Sequence, residues 1–136
     1  MDCKEIAVVK AFIAAINQGD VSQLSNLMTK DHTFVDSGGR IVSGCANMTK
    51  AWKEYFRMFP DYRIEVQNIL RDRNLVAVFG SASGTYNGKR GLVPENRIEM
   101  SGAWKAIVEK ERIKVWQVYA DWTEGSKIIE EDKEKG

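Results

Sequence analysis

A length of 136 residues, 43% hydrophobic and 29% charged, fits a single globular domain able to bury a core. Twenty Lys and Arg against 19 Asp and Glu leave a formal charge of +1, without the basic surplus that phosphate-backbone binding requires, so nucleic acid is excluded as an expected partner. Two cysteines, Cys3 and Cys45, and a single histidine make neither a disulfide framework nor an ordinary zinc ligand set.

The apolar stretch "IAVVKAFIAAI" is interrupted by Lys10 and flanked by Glu5. It reads as a core helix rather than a signal peptide or membrane span, which implies a cytoplasmic protein. Asp2 followed by Glu5 resembles a capping box, the run from Ile6 to Ile16 turns Phe12 and Ile16 inward, and Gly19 closes the helix. Asp20 then caps a second helix, "VSQLSNLMTK", with Val21, Leu24, Leu27 and Met28 on its inner face. "HTFVDSGGRIVSG", His32 to Gly44, reads as two short strands about a Ser-Gly-Gly turn. "ANMTKAWKEYFRMF" is a third helix, with Met48, Trp52, Tyr55, Phe56 and Phe59 at three- and four-residue spacing and Pro60 as its stop.

From Tyr62 the apolar period changes to two. "YRIEVQNIL", "LVAVFGSASGTY", "RIEMSGAWKAIV" and "RIKVWQVYADW" read as four long strands joined by short links, which favours an antiparallel meander. The domain is expected over 1–123, and the charged stretch 124–136 is expected to be a flexible tail, with a partner-docking helix as the lesser reading. Helices first and a twisted sheet after them make an α+β fold. In it three N-terminal helices pack on a curved, mainly antiparallel sheet, and the layers part at one end into a cone-shaped pocket.

Several residues stand out. Alternation puts His32, Phe34 and Asp36 on one face of the first strand. Asp36 either holds the amides of the following turn, as in an Asx-turn, or faces a cavity and handles protons. His32 either shuttles a proton with Asp36 or bonds backbone. Trp52, Tyr55 and Phe59 form a helical stripe that serves as core or as the roof of a cavity. A buried Tyr55 phenol needs a partner, so it is a candidate donor. Gly80, Ala82 and Gly84 share one strand face, where they either admit a close neighbour or add cavity volume. No P-loop, GxGxxG or ligand cluster points to a cofactor or metal.

"AFIAAINQGD", "MTKDHTFVDSGGRIVSG" before an aromatic helix, and the closing "RIKVWQVYADW" give residues 5 to 122 a clear resemblance. The chain resembles the nuclear transport factor 2-like superfamily, in its SnoaL-like and ketosteroid-isomerase-like branch. The resemblance implies a cavity between the helices and the concave sheet face, and a homodimer paired through the sheets. It also implies a carboxylate base at the end of the first strand, the position of Asp36. The oxyanion donors of the isomerases are not matched: Phe12 stands at the tyrosine position of helix one, and Ala103 or Trp104 at the position of the acid. What the resemblance implies is therefore a small-molecule-binding protein, in its enzymatic form a cofactor-independent isomerase, cyclase or dehydratase. Asp36 would be its base, His32 and Tyr55 the polar partners, and Phe12, Ile16, Phe34, Trp52, Phe59, Trp104 and Trp116 the walls. The alternative is a non-catalytic ligand- or protein-binding module of the same fold. The expected partners are a small apolar or aromatic molecule and a second copy of the chain, with no membrane contact.

Overall fold

The computed structural model describes residues 2–135. Three helices come first, α1 (Lys4–Gln18), α2 (Val21–Leu27) and α3 (Cys45–Met58), with the short strands β1 (Met28–Val35) and β2 (Ile41–Ser43) between α2 and α3. Four long strands follow, β3 (Arg63–Asp72), β4 (Leu75–Thr85), β5 (Arg97–Glu109) and β6 (Arg112–Ala120), and helix α4 (Thr123–Lys135) ends the chain. The six strands form one curved sheet in the order β2-β1-β6-β5-β4-β3. Every neighbouring pair is antiparallel except β1 with β6, which is parallel. The architecture is the α+β cone expected from the sequence.

The long strands form where the period-two pattern placed them, because alternation alone gives one apolar and one mixed face. Val76, Val78, Trp104, Ala106 and Trp116 fall on the concave face and are buried against Val9, Phe12, Ile13 and Ile16 of α1. Gly19 closes α1 in the left-handed conformation at φ 63°, where a Cβ would strain the backbone. The Asp20 carboxylate caps α2 by accepting from the Gln23 amide at 3.0 Å.

Some local expectations differ. The capping box at α1 does not form. Cys3 is the N-cap and makes no side-chain cap bond, while Asp2 reaches Lys10 at 2.7 Å and Glu5 reaches Arg71 at 3.2 Å. Helix α2 stops at Leu27, and Met28 already pairs with Ile113 in the parallel ladder. The amphipathic period continues past Leu27, but a whole strand edge on β6 is available to bond Met28–Val35, and the sheet wins.

The largest correction is at the chain end. Residues read as a charged tail form α4, whose Ile128 is buried against Phe59 and Ile98. Asp132 is only 1% exposed. Its Oδ2 accepts from the Lys89 amide at 2.7 Å, and its Oδ1 from the Arg90 amide at 2.8 Å and the Asn96 side-chain amide at 3.0 Å. The Arg90 Nε lies 3.4 Å from the same Oδ1. Burial alone would push the Asp132 carboxyl up. The Asn96 amide, the two backbone N–H groups and the Arg90 guanidinium outweigh it and hold the group below its ordinary value. One buried carboxylate thus fastens a helix to the β4–β5 loop, a device invisible to a reading based on charge density.

No helix among the described residues is long and apolar enough to cross a membrane.

Candidate functional site

The helices cover the concave sheet face at one end and part from it at the other, leaving a cavity of about 360 Å³. Its floor is aromatic. Phe12 packs edge-on against Trp116 at 5.0 Å and Trp52 at 6.3 Å between ring centroids, sealing the narrow end from behind. Trp52 and Tyr55 of α3, with Phe59, form the roof. Ala82 and Gly84 of β4, Met100 and Trp104 of β5, and Trp116 and Val118 of β6 form the sheet wall. Ile129 and Trp122 bring α4 and its approach to the mouth.

Of the residues singled out in the sequence, Phe34, Asp36, Trp52, Tyr55, Phe59, Ala82, Gly84, Trp104 and Trp116 come together around this cavity. Phe12, Ile16, Gly80 and His32 do not line it. Phe12 and Ile16 are fully buried behind the lining. His32 is fully buried as well, and its Nδ1–H donates to the Ile113 carbonyl at 2.7 Å, leaving Nε2 without a partner. Burial lowers its imidazole below the ordinary value, against opposing pulls from the Ile113 bond and the Asp31 charge. A neutral histidine bonded to the Ile113 carbonyl of β6 is a core group, fully buried and off the cavity wall.

Gly80 needs a similar correction. A Cβ there would lie 1.9 Å from the Glu65 carbonyl oxygen, so the missing side chain admits the β3 backbone and adds nothing to the cavity. Gly84 does face the cavity, where Phe59 lies 3.4 Å from the position a Cβ would take. Trp104, 2% exposed, folds its six-membered ring over Gly102, 3.2 Å from where a Cβ would stand. The tryptophans refill part of the space left by the small residues, and the remainder stays open.

Asp36 ends the apolar wall of β1. Its Oδ1 accepts from the Gly38 and Arg40 amides, both at 2.9 Å, which fixes the carboxylate against the turn. Its Oδ2 makes no hydrogen bond among the described residues. Asp36 thus holds the turn with one oxygen, as the first reading expected, and it also lines the cavity. A second, open cleft runs outward from it, bordered by Ser37, Arg40, Asp121 and Thr123. There Asp121 caps α4, accepting from the Thr123 amide at 2.9 Å and hydroxyl at 2.6 Å.

Two phenols share the cavity with Asp36. Tyr55 and Tyr62 meet edge to face at 4.9 Å and 88°. Burial pushes the Tyr55 phenol well above its ordinary value, and the adjacent Tyr62 adds to the rise. Burial pushes Tyr62 up to about 12, against the pull of the Tyr55 hydroxyl. Both stay protonated at neutral pH, so they serve as hydrogen-bond donors and not as bases. Sequence reasoning missed Tyr62, although two-residue alternation with the buried Ile64 puts it on the inner face. It also missed Ile129, for which no local signal exists.

Among the described residues no three His, Cys, Asp or Glu side chains assemble as a metal site. A family model, the SnoaL-like domain, matches residues 9–118. The chain belongs to the SnoaL-like family. No curated protein matches the sequence. Among solved structures, this SnoaL-like chain is similar to wild-type IdmH from Streptomyces antibioticus, assigned as a candidate polyketide cyclase. The two share 22% identity over 94% of this chain and 99% of that one, with a TM-score of 0.76. It is also similar to an LEH-like epoxide hydrolase of M. tuberculosis, with 15% identity, 96% and 92% coverage and a TM-score of 0.77. A protein with a ketosteroid isomerase-like fold from Catenulispora acidiphila, solved in complex with trimethylamine, matches at 20% identity, 82% and 83% coverage and a TM-score of 0.72. At these identities the likeness is one of fold, and the SnoaL-like cavity must be read from its own side chains.

Proposed function

We propose that this SnoaL-like protein binds an apolar or aromatic organic molecule in the cone and moves a proton on it without a cofactor. The observation that carries the reading is the placement of Asp36, an acid on the wall of a largely apolar cavity with one carboxylate oxygen held and the other making no hydrogen bond among the described residues. The two backbone bonds orient the carboxylate before substrate arrives, so little reorganisation accompanies proton abstraction. A proton leaves a carbon next to a carbonyl for Asp36 Oδ2, and the electron pair moves onto the carbonyl oxygen. Tyr55 and Tyr62, kept protonated by burial, are the donors available to that oxygen. Returning the proton at another carbon gives isomerisation. Attack of the enolate within the same molecule gives an aldol-type cyclisation, and loss of hydroxide from the adjacent carbon gives dehydration.

The test is exchange of deuterium into enolisable ketones by the parent protein and by Asp36→Asn. Loss of general-base catalysis lowers the rate about 10²–10⁴-fold. Equal exchange by both proteins removes Asp36 from the chemistry. A non-catalytic binding role is favoured by one specific observation, that Asp36 already has structural work in the turn. In that case ligands are retained unchanged by both proteins.

The reading includes a homodimer through the outer sheet face. Phe79, Ala103 and Tyr119 stand in one row across β4, β5 and β6, and Phe79 and Tyr119 are 44% and 47% exposed. Two large aromatic rings on the outside of a sheet suit a second sheet better than water. Phe79→Lys is expected to sediment as a monomer at concentrations where the parent is a dimer, and a parent that is itself monomeric overturns this part.

A further inference from the structure

We propose that the cavity takes an organic ammonium ion, an apolar or aromatic body carrying a quaternary or protonated tertiary amine. This rests on the cavity being the small-molecule site and adds the charge of the molecule it selects.

The first support is the wall. All four tryptophans of the chain line the cavity, along with Tyr55 and Tyr62. These rings are not stacked on one another. Tyr55 stands at 89° to Trp52 and 88° to Tyr62, and Phe59 at 77° to Trp122. Trp52 has one face stacked on Phe56 at 5.4 Å and 20°, and the planes of the remaining lining rings differ in direction; each aromatic face carries the negative side of its quadrupole. A cation lying over any exposed face of these rings is attracted, whereas an anion there is repelled.

The second support is charge. Among the described residues Asp36 is the one acidic side chain on the cavity wall, and no lysine, arginine or histidine lines it. Overall composition does not explain this bias, because acidic and basic residues are almost balanced in the chain. The outer cleft continues the trend, with Asp36 and Asp121 against the single guanidinium of Arg40. A cation approaching along this cleft passes Asp121 and Arg40, then meets Asp36, which borders both the cleft and the cavity.

The third support is chemical. An enolate forming in this cavity has two phenols to meet it but no cationic side chain to offset its charge. An ammonium group on the substrate itself supplies that offset.

The experiment uses three phenols of one shape, bearing trimethylammonium, tert-butyl or sulfonate at the meta position. Binding is read by tryptophan fluorescence and calorimetry at neutral pH. The trimethylammonium compound is expected to bind roughly tenfold tighter than its tert-butyl isostere, with the sulfonate weakest. Asp36→Asn should lower the affinity of the cation several-fold and leave that of the tert-butyl compound unchanged. Trp122→Leu tests the aromatic contribution in the same way without disturbing the turn that Asp36 holds. Equal or tighter binding of the tert-butyl compound overturns the ammonium assignment and leaves the cavity as the binding site. The sulfonate binding tightest overturns the assignment as well. Failure of all three to bind overturns both the assignment and the reading of the cavity on which it rests.

Discussion

Gly80→Ala is expected to destabilise the protein by about 3 kcal/mol, far more than an added methyl group costs at an ordinary strand position. The new Cβ would stand 1.9 Å from the Glu65 carbonyl oxygen, 3.0 Å from its carbon and 3.2 Å from the Val66 Cα. All three are backbone atoms, so no rotamer change relieves the contact. The register between β3 and β4 shifts between Val66 and Asn68, and this bulge presses the β3 carbonyl over Gly80. Relief would require breaking the Val66–Gly80 or Gly80–Gly102 pairing, at the centre of the three longest strands. Urea denaturation checks the expectation, with Gly84→Ala as the control. There the Cβ meets Phe59 at 3.4 Å, an ordinary contact with a side chain, and the cost should stay below about 1 kcal/mol. Equal midpoints for the two variants would show that the bulge does not constrain β4.

The second large effect is expected at Asn96. It is completely buried, accepts from Arg90 Nη2 at 2.6 Å, and donates to the Tyr86 carbonyl at 3.0 Å, the Gly91 carbonyl at 3.2 Å and Asp132 Oδ1 at 3.0 Å. Asn96→Ala leaves these groups buried and short of partners, at a cost of about 2–4 kcal/mol. Because the bonds join α4 to the β4–β5 loop, the loss should appear first as release of α4. Hydrogen exchange and tryptic cleavage at Lys127 should rise before the sheet unfolds, and tryptophan fluorescence should report Trp122 entering water. Unchanged exchange in α4 would mean that its apolar face alone holds it. The same latch has a pH signature. Asp132 titrates below the ordinary aspartate value of 3.8 when α4 is docked, so its contribution is complete above that value. It is lost as pH falls through the lower value of the docked state, because the released helix then binds the extra proton. Acid is therefore expected to free α4, and Asp132→Asn to abolish this part of the pH dependence.

Helix α1, the aromatic face of α3 and the inner faces of β4 to β6 were legible in the sequence. Their apolar residues repeat at the period of the element that contains them, and a period is a local property. The place of Asp36 was legible for the same reason: it ends an apolar strand at a glycine turn, where one carboxylate both bonds the turn amides and lines the cavity. Tertiary structure decided the rest, in each case through a partner distant along the chain. Helix α2 ends early because Met28 finds Ile113 on β6. His32 is withdrawn from the cavity by the Ile113 carbonyl, and Gly80 is claimed by the backbone of β3. The charged end becomes a helix because Asn96 and two loop amides offer Asp132 more than the water it gives up. Composition and alternation determine which side of each element avoids water. Which atoms meet there, and how much space remains between them, is settled only when the layers close.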